Sequence, residues 1–404
     1  MLHKTHNFNL NFRFEMSITV EQKQIVKATV SILKENGKEI TSIFYKDLFN
    51  AHPELLNFFN QTDQTLGTQS FALANALYFI ADNIDRLEVL MPDINTVAHK
   101  HRALTIQPEH YSIVGKCLIQ AISKFLGDKA TTSTLDAWSA AYYAIANILI
   151  DIEKNLYDQL GKNENDKGFI PFMIVKKEKI ANGPIYSFEI KRNDGGKMLD
   201  YHPGQYITLR LKKNGLYHNR HYGLVGLFNG KTYCVGIKQL INCEPKGIFS
   251  NEIIENYHVG DTILASLPAG TFSIIDDAKR HLFIAGGIGI TVLSTMIEEL
   301  YKQGKSHTVT LIHCVPGKDH AAYFVRMRMR VPEKQYHLLY QGRHMLKELI
   351  KKVVSKETHV YLCGTVSFMN TVEKHLEACN FPLLNVHINV FQPLFSTVKN
   401  EAKN

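Results

Sequence analysis

Apolar positions recur every three or four residues as far as about residue 160, and every second residue beyond about residue 170. In the first stretch, Thr19-Val-Glu-Gln22 is a capping box, in which the first turn's free N–H groups are answered by a hydroxyl and an amide. Ile25, Val26, Val30 and Leu33 follow on one face, and Gly37 is expected to break that helix. Ile40, Phe44 and Leu48 predict the next helix, stopped at His52-Pro53 because proline has no N–H to give. Phe71, Ala74, Leu77, Ala81 and Ile84 predict another. Pro108 opens a helix through Val114, Leu118 and Ile122. A last one runs from about Leu135 past Trp138, Tyr142, Ile145 and Leu149 to Tyr157. Helices with short links suit a globin-like packing or a bundle.

The polar run Gly161–Gly168 reads as a linker. Phe172–Val175, Tyr186–Ile190 and Tyr206–Leu211 then predict strands, and Asn229-Gly230 between Leu224–Phe228 and Tyr233–Ile237 predicts a hairpin. Short strands in succession suggest a small antiparallel barrel. From about His281, the strands Leu282–Ala285, Thr308–Ile312, His337–Tyr340 and His359–Leu362 alternate with helical stretches such as Thr291–Gln303. That alternation predicts a doubly wound parallel sheet.

The 404 residues exceed one compact core and imply two or three domains. No apolar run approaches the roughly 20 residues of a bilayer span. The six scattered cysteines suit free thiols in a reducing, cytoplasmic setting, and without Cys-x-x-Cys-His any haem is held non-covalently. The net charge of +8 is dispersed over many lysines. It favours solubility or attraction of anionic cofactors, and no aromatic-interleaved basic stripe points to nucleic acid. Residues 1–15 are Asn- and Phe-rich and read as a disordered extension rather than a transit peptide.

Ala285-Gly286-Gly287-Ile288-Gly289-Ile290-Thr291 follows a strand and opens a helix, so its N–H groups can meet a pyrophosphate. The plain alternative is a tight strand-to-helix turn. Arg220 and Tyr222 share a strand face, where arginine grips phosphate and tyrosine packs on a flat ring. Alone, that pair would be an ordinary exposed strand; Gly247 and Ser250 add a turn and a hydroxyl for a second phosphate. His101 alone is more often a satisfied polar residue than an iron ligand. Tyr45, Gln69 and Leu73 could line the distal side of a haem opposite it.

The sequence resembles the flavohaemoglobins, nitric oxide dioxygenases, from about Met16 to Pro393. The matches are Ile43-Phe-Tyr45, His52-Pro-Glu-Leu-Leu56, Phe59-Asn-Gln61, Ala98-His-Lys-His101 and Asp136-Ala-Trp138. Later in the chain come Pro203-Gly-Gln-Tyr206, Pro268-Ala-Gly270, Tyr361-Leu-Cys-Gly364 and Phe368-Met369. The resemblance implies an all-α globin domain (16–160), a linker (161–168), an antiparallel β-barrel FAD domain (169–278) and an α/β Rossmann-like NAD(P) domain (279–404). It implies haem b, FAD and NADH or NADPH as cofactors, dioxygen and nitric oxide as substrates, and a monomer without stable membrane insertion. The implied reaction converts nitric oxide and dioxygen to nitrate and so detoxifies nitric oxide. Other readings are an oxygen or nitric oxide carrier or sensor with a weakened reductase half, and a haem-independent flavin reductase with another acceptor.

Residue by residue, the resemblance makes His101 the proximal iron ligand, with Tyr111 and Glu153 as the pair hydrogen-bonded to it. Tyr45 becomes the distal hydrogen-bond donor, Gln69 its neighbour, Leu73 the apolar cover and Phe59 the ring that wedges the haem, with Lys100 near the haem–flavin junction. Tyr206, Arg220, His221, Tyr222, Gly223, Gly247 and Ser250 fall in the flavin site, and Gly287, Ile288, Gly289, Ile290, Thr291 and Val292 in the nicotinamide-phosphate turn. Asn389, Val390, Phe391, Gln392 and Pro393 close the site from the C-terminal side, Phe391 covering the flavin ring. Gly223 stands where serine is usual, Val292 and Thr365 where proline or, at the latter, glycine is usual, Asn389 where an acid is usual, and Gln392 where a small residue is usual. The missing serine hydroxyl is expected to weaken the flavin contact by about 0.5–1.5 kcal/mol.

Overall fold

A computed structural model describes residues 18–161, 163–241, 247–340 and 345–391, the side chains of 164 and 165 excepted. The expected extension 1–15, Gln392 and Pro393 lie outside these residues.

The helical half comprises α1 (Val20–Ala28), α2 (Val30–Ala51), α3 (Gln61–Thr65), α4 (Thr68–Asp82), α5 (Met91–Ala103), α6 (Pro108–Leu126) and α7 (Thr132–Gln159). The capping box forms at Thr19 and Gln22. Gly37 does not break the helix, as expected from its propensity; it lies buried inside α2. A β-carbon there would stand 3.0 Å from that of Ala74, so the glycine lets α2 and α4 approach. The helix changes instead at Thr29, whose hydroxyl donates to the Val26 carbonyl at 2.6 Å and competes with the ladder. Phe44, Leu48, Leu77, Leu118 and Trp138 share one core.

The polar stretch after α7 is anchored rather than free: Asp166 is buried and accepts from the Arg192 guanidinium at 2.5 Å. Next come β1 (Ile170–Lys179), β2 (Ile185–Arg192), β3 (Tyr206–Lys213), β4 (Leu216–Gly223), β5 (Tyr233–Lys238), α8 (Ile248–Asn256) and β6 (Thr262–Ala265). The sheet is antiparallel with order β4-β3-β6-β1-β2-β5. The expected hairpin at Asn229-Gly230 is corrected here. The turn forms, with Asn229 Oδ1 accepting from the N–H groups of Lys231 at 2.8 Å and Thr232 at 2.9 Å. However, β5 is held by β2, and only the bridge Leu224–Val235 links the two flanking runs. That bridge joins the two outer strands, so the turn closes the barrel.

The last part holds β7 (Arg280–Gly286), α9 (Ile290–Lys302), β8 (Val309–Cys314), α10 (Phe324–Arg328), β9 (Tyr336–Leu339), α11 (Met345–Val353), β10 (Thr358–Cys363), α12 (Val366–Glu377) and β11 (Val386–Asn389). The sheet is parallel, order β11-β10-β7-β8-β9. Strand alternation splits β7 between two cores. Phe283 and Ala285 pack with α9, and Leu282 and Ile284 pack with α11 and α12.

Candidate functional site

The helices of the first half enclose a cavity of about 310 Å³ with an almost wholly apolar lining, into which His101 and Tyr45 both face. Behind His101, its Nδ1 lies 2.8 Å from the Tyr111 hydroxyl and 3.0 Å from Glu153 Oε1. The direction of these bonds follows from proton counting. The Glu153 carboxylate only accepts, and Tyr111 gives its single proton to it. His101 must therefore donate from Nδ1, which leaves the Nε2 lone pair free toward the cavity. An imidazole held in that tautomer by a carboxylate is what an iron ligand needs. Burial, then the Glu153 charge, pushes the Tyr111 phenol up, so it remains a proton donor. Among the described residues no three His, Cys, Asp or Glu side chains converge on a bare metal site. One imidazole over an apolar slot suits a flat prosthetic group that brings its own other ligands.

Across the cavity, Tyr45 stacks with Phe49 at 5.8 Å and meets Phe59 edge-on at 5.7 Å. Gln64 and Gln69 lie beside its hydroxyl, and burial raises its pKa, so it too stays protonated. Leu73 and Phe59 line the same wall.

In the barrel, Tyr206 and His221 face each other at 4.9 Å, and the Tyr206 hydroxyl is buried with no partner among the described residues. A buried phenol proton of this kind can be answered by the acceptor of a bound flavin. Tyr222 lies against Phe249 at 5.8 Å, and Arg220 reaches back to the Thr62 hydroxyl at 3.5 Å. Ser250 Oγ accepts from the Leu240 N–H at 3.2 Å, beside Gly247 at the head of α8. In the parallel-sheet part, Gly287 has φ +56° with open space around it, whereas a side chain at Gly289 would collide with the Cys363 carbonyl. The turn is thus open on one face and pressed to the sheet on the other, the shape of a backbone phosphate cradle. Thr291 donates to the Ile288 carbonyl at 2.9 Å, holding the turn to the start of α9. Asn389, opposite Cys363 in the register, has a buried amide nitrogen with no partner among the described residues. Phe391 packs against the core behind α9.

The two halves meet at α5. Lys100 Nζ donates to the Val390 carbonyl at 3.3 Å. Burial pulls its pKa down to about 8, against the opposing pull of Asp63, which also faces Arg220. Sequence reading missed most of this junction. The Gly270 N–H donates to His99 Nδ1 at 3.1 Å, and the buried Arg102 donates to the carbonyls of Leu267, at 3.1 Å, and Pro268. Ala103 packs with Tyr206 and Ala269. Helical spacing does place 99, 102 and 103 off the His101 face, but nothing in it says what they meet.

Comparison with known proteins agrees with this architecture. A globin family model matches residues 42–149, and an oxidoreductase FAD-binding domain model matches residues 171–274. A flavohemoprotein of Halalkalibacterium halodurans is 36% identical, covering 93% of this chain and 97% of its own. Flavohemoprotein A of Dictyostelium discoideum is 35% identical, covering 94% of this chain and 99% of its own. The crystal structure of flavohemoglobin from Malassezia yamatoensis with bound FAD and heme superposes with a TM-score of 0.81 at 24% identity, covering 93% of this chain and 99% of its own.

Proposed function

The chain belongs to the flavohemoprotein family and is an oxidoreductase binding haem, FAD and a nicotinamide nucleotide; on that premise we propose that it is a nitric oxide dioxygenase, forming nitrate from nitric oxide and dioxygen. When bound, haem would supply dioxygen binding and one-electron chemistry, and flavin would supply the exchange between hydride and single-electron transfer. His101 holds the haem, with Glu153 and Tyr111 fixing its tautomer and making it a stronger donor. Tyr45, kept protonated and flanked by Gln64 and Gln69, offers a hydrogen bond to a ligand over Leu73 and Phe59. Tyr206, Arg220, Tyr222 and Ser250 bind flavin, the turn Gly287–Thr291 takes nicotinamide phosphates, and Phe391 covers the flavin ring. The observation that carries the reading is a carboxylate-backed imidazole and a protonated tyrosine facing each other across one apolar cavity.

We further propose a cytoplasmic monomer with the division 16–160, 169–278 and 279–404. Among the described residues no helix is long and apolar enough to cross a membrane. The test is nitric oxide consumption by haem- and FAD-loaded protein in aerobic buffer, with and without NADH. Sustained, NADH-dependent loss with nitrate formed supports the dioxygenase. A single burst equal to the haem present favours the second reading, a carrier or sensor, to which Asn389, standing where an acid is usual, lends weight.

A further inference from the structure

Tyr45 lines a second space as well as the apolar cavity. On its other side a solvent-open funnel of about 500 Å³ lies between α2, α3 and the start of α4. Ser42, Lys46 and Asn50, spaced by four, present one exposed face of α2 to it, and Gln61, Gln64 and Thr65 come from α3. The two spaces differ in chemistry. The cavity beside His101 is almost wholly apolar, whereas the funnel mixes Phe49 and Leu56 with polar side chains, no carboxylate of the described residues lines it, and Lys46 supplies its charge. The adjacent carboxylate, Asp47, is taken by Lys124 at 2.7 Å.

The amide nitrogen of Gln61 is buried and meets no acceptor among the described residues, whereas Gln64 lies against the Tyr45 hydroxyl. Buried donors without acceptors carry a desolvation penalty, so an acceptor that reaches them is favoured. Dioxygen and nitric oxide are neutral and gain little from such a lining. A small anion with several acceptor oxygens gains from the lysine and the Gln61 amide together, the hydroxyls of Ser42 and Thr65 being spent on the Lys38 and Gln61 carbonyls.

We propose that this funnel binds a small oxyanion of the nitrate and nitrite class and is the way such anions pass between solvent and the distal side of the haem cavity. Its assignment to the reaction product rests on the dioxygenase reading above; its preference for anions does not. Lys46 and Gln61 are the selecting residues, and Tyr45 stands between the two spaces. Neutral gases pass without using the lysine charge.

The experiment compares two probes on the haem- and FAD-loaded full chain. Nitrite association with the ferric protein is followed by stopped flow, and carbon monoxide association with the ferrous protein serves as the neutral probe. Lys46→Glu is expected to slow nitrite about 3- to 10-fold and remove the fall of its rate with ionic strength. Lys46→Arg should keep the wild-type rate, Gln61→Leu should slow nitrite alone, and carbon monoxide should stay within about twofold throughout. Added nitrate should slow nitrite association more than chloride at equal ionic strength in the wild type, and not in Lys46→Glu. Unchanged nitrite rates in Lys46→Glu would overturn the proposal. Equal slowing of both probes would also overturn it, since that marks a change of shape rather than of charge. Lys46 is an exposed side chain, so its variants are expected to fold. If charge discrimination is found while the wild type shows no NADH-driven nitric oxide loss, the anion site stands and the dioxygenase reading falls.

Discussion

A β-carbon at Gly223 would stand 2.9 Å from that of Val292 and 3.3 Å from Val292's backbone. Two of the positions that depart from the flavohaemoglobin pattern are therefore one packed contact, joining the end of β4 to the start of α9. Gly223→Ser is expected not to tighten FAD but to destabilise the protein by about 1–3 kcal/mol through overpacking. Thermal unfolding and a flavin-fluorescence titration check this; tighter FAD with unchanged stability would show that α9 yields easily.

Glu153 is 3% exposed and holds His101 and Tyr111 together. Glu153→Gln removes the charge that fixes the Nδ1 proton. The haem potential should rise in a redox titration, and haem affinity should fall about 10- to 100-fold, as for other partners behind a metal ligand. An unmoved potential would leave Glu153 a packing residue only.

Tyr45→Phe removes the hydroxyl beside Gln64 and Gln69 while keeping the ring contacts to Phe49 and Phe59. Losing one hydrogen bond of about 1–1.5 kcal/mol should raise the dioxygen off-rate about 5- to 10-fold. Flash photolysis reads this directly, and an unchanged off-rate would sink the assignment.

Arg102 is 5% exposed and grips two carbonyls of the barrel from the helix that carries His101. Arg102→Met leaves those carbonyls unpaired and should cost about 1–3 kcal/mol. It should also slow NADH-driven haem reduction roughly tenfold or more, while flavin reduction keeps its rate, because small misplacements of reacting groups are expensive. Anaerobic stopped flow separates the two phases; equal rates in variant and wild type would confine Arg102 to stability.

Two buried imidazoles give the reductase half a pH dependence. His221, bonded to the Thr208 hydroxyl at 2.8 Å, is pushed down to about 3 by burial and then by Lys100 and Arg220. His313, 3.3 Å from the Gly287 carbonyl, is pushed down to about 4 by burial. Both bind protons less readily folded than unfolded, where about 6.5 is ordinary. Unfolding therefore takes up protons below that value, and stability, fully present above about pH 6.5, is lost as pH falls toward 4. The melting temperature should drop by several degrees from pH 7 to pH 5, and His313→Gln should flatten the slope.

The helices of the first half were largely legible from local periodicity, and Tyr45, Gln69 and Leu73 could be placed on them, but the roles given to His101, Tyr111 and Glu153 came from the resemblance and not from spacing. Gly37 was misread because propensity knows nothing of Ala74 on a neighbouring helix. The Asn229-Gly230 turn was found but its strand partner was not, since β5 pairs with a strand more than 40 residues earlier. Arg102 and His99 escaped for the same reason: their partners lie beyond residue 260, and residue spacing records only a helix's own faces.

The helix α5 turns His101 inward to the haem cavity and His99, Arg102 and Ala103 outward to the barrel. Its outward face is thus a fitting for one particular reductase. A globin cut away at the linker would carry a naked guanidinium and an apolar spot into water, and a foreign reductase joined in its place would meet no matching carbonyls. A working exchange of reductases would therefore have to keep backbone carbonyls where those of Leu267 and Pro268 stand, or carry this stretch of α5 along with the barrel.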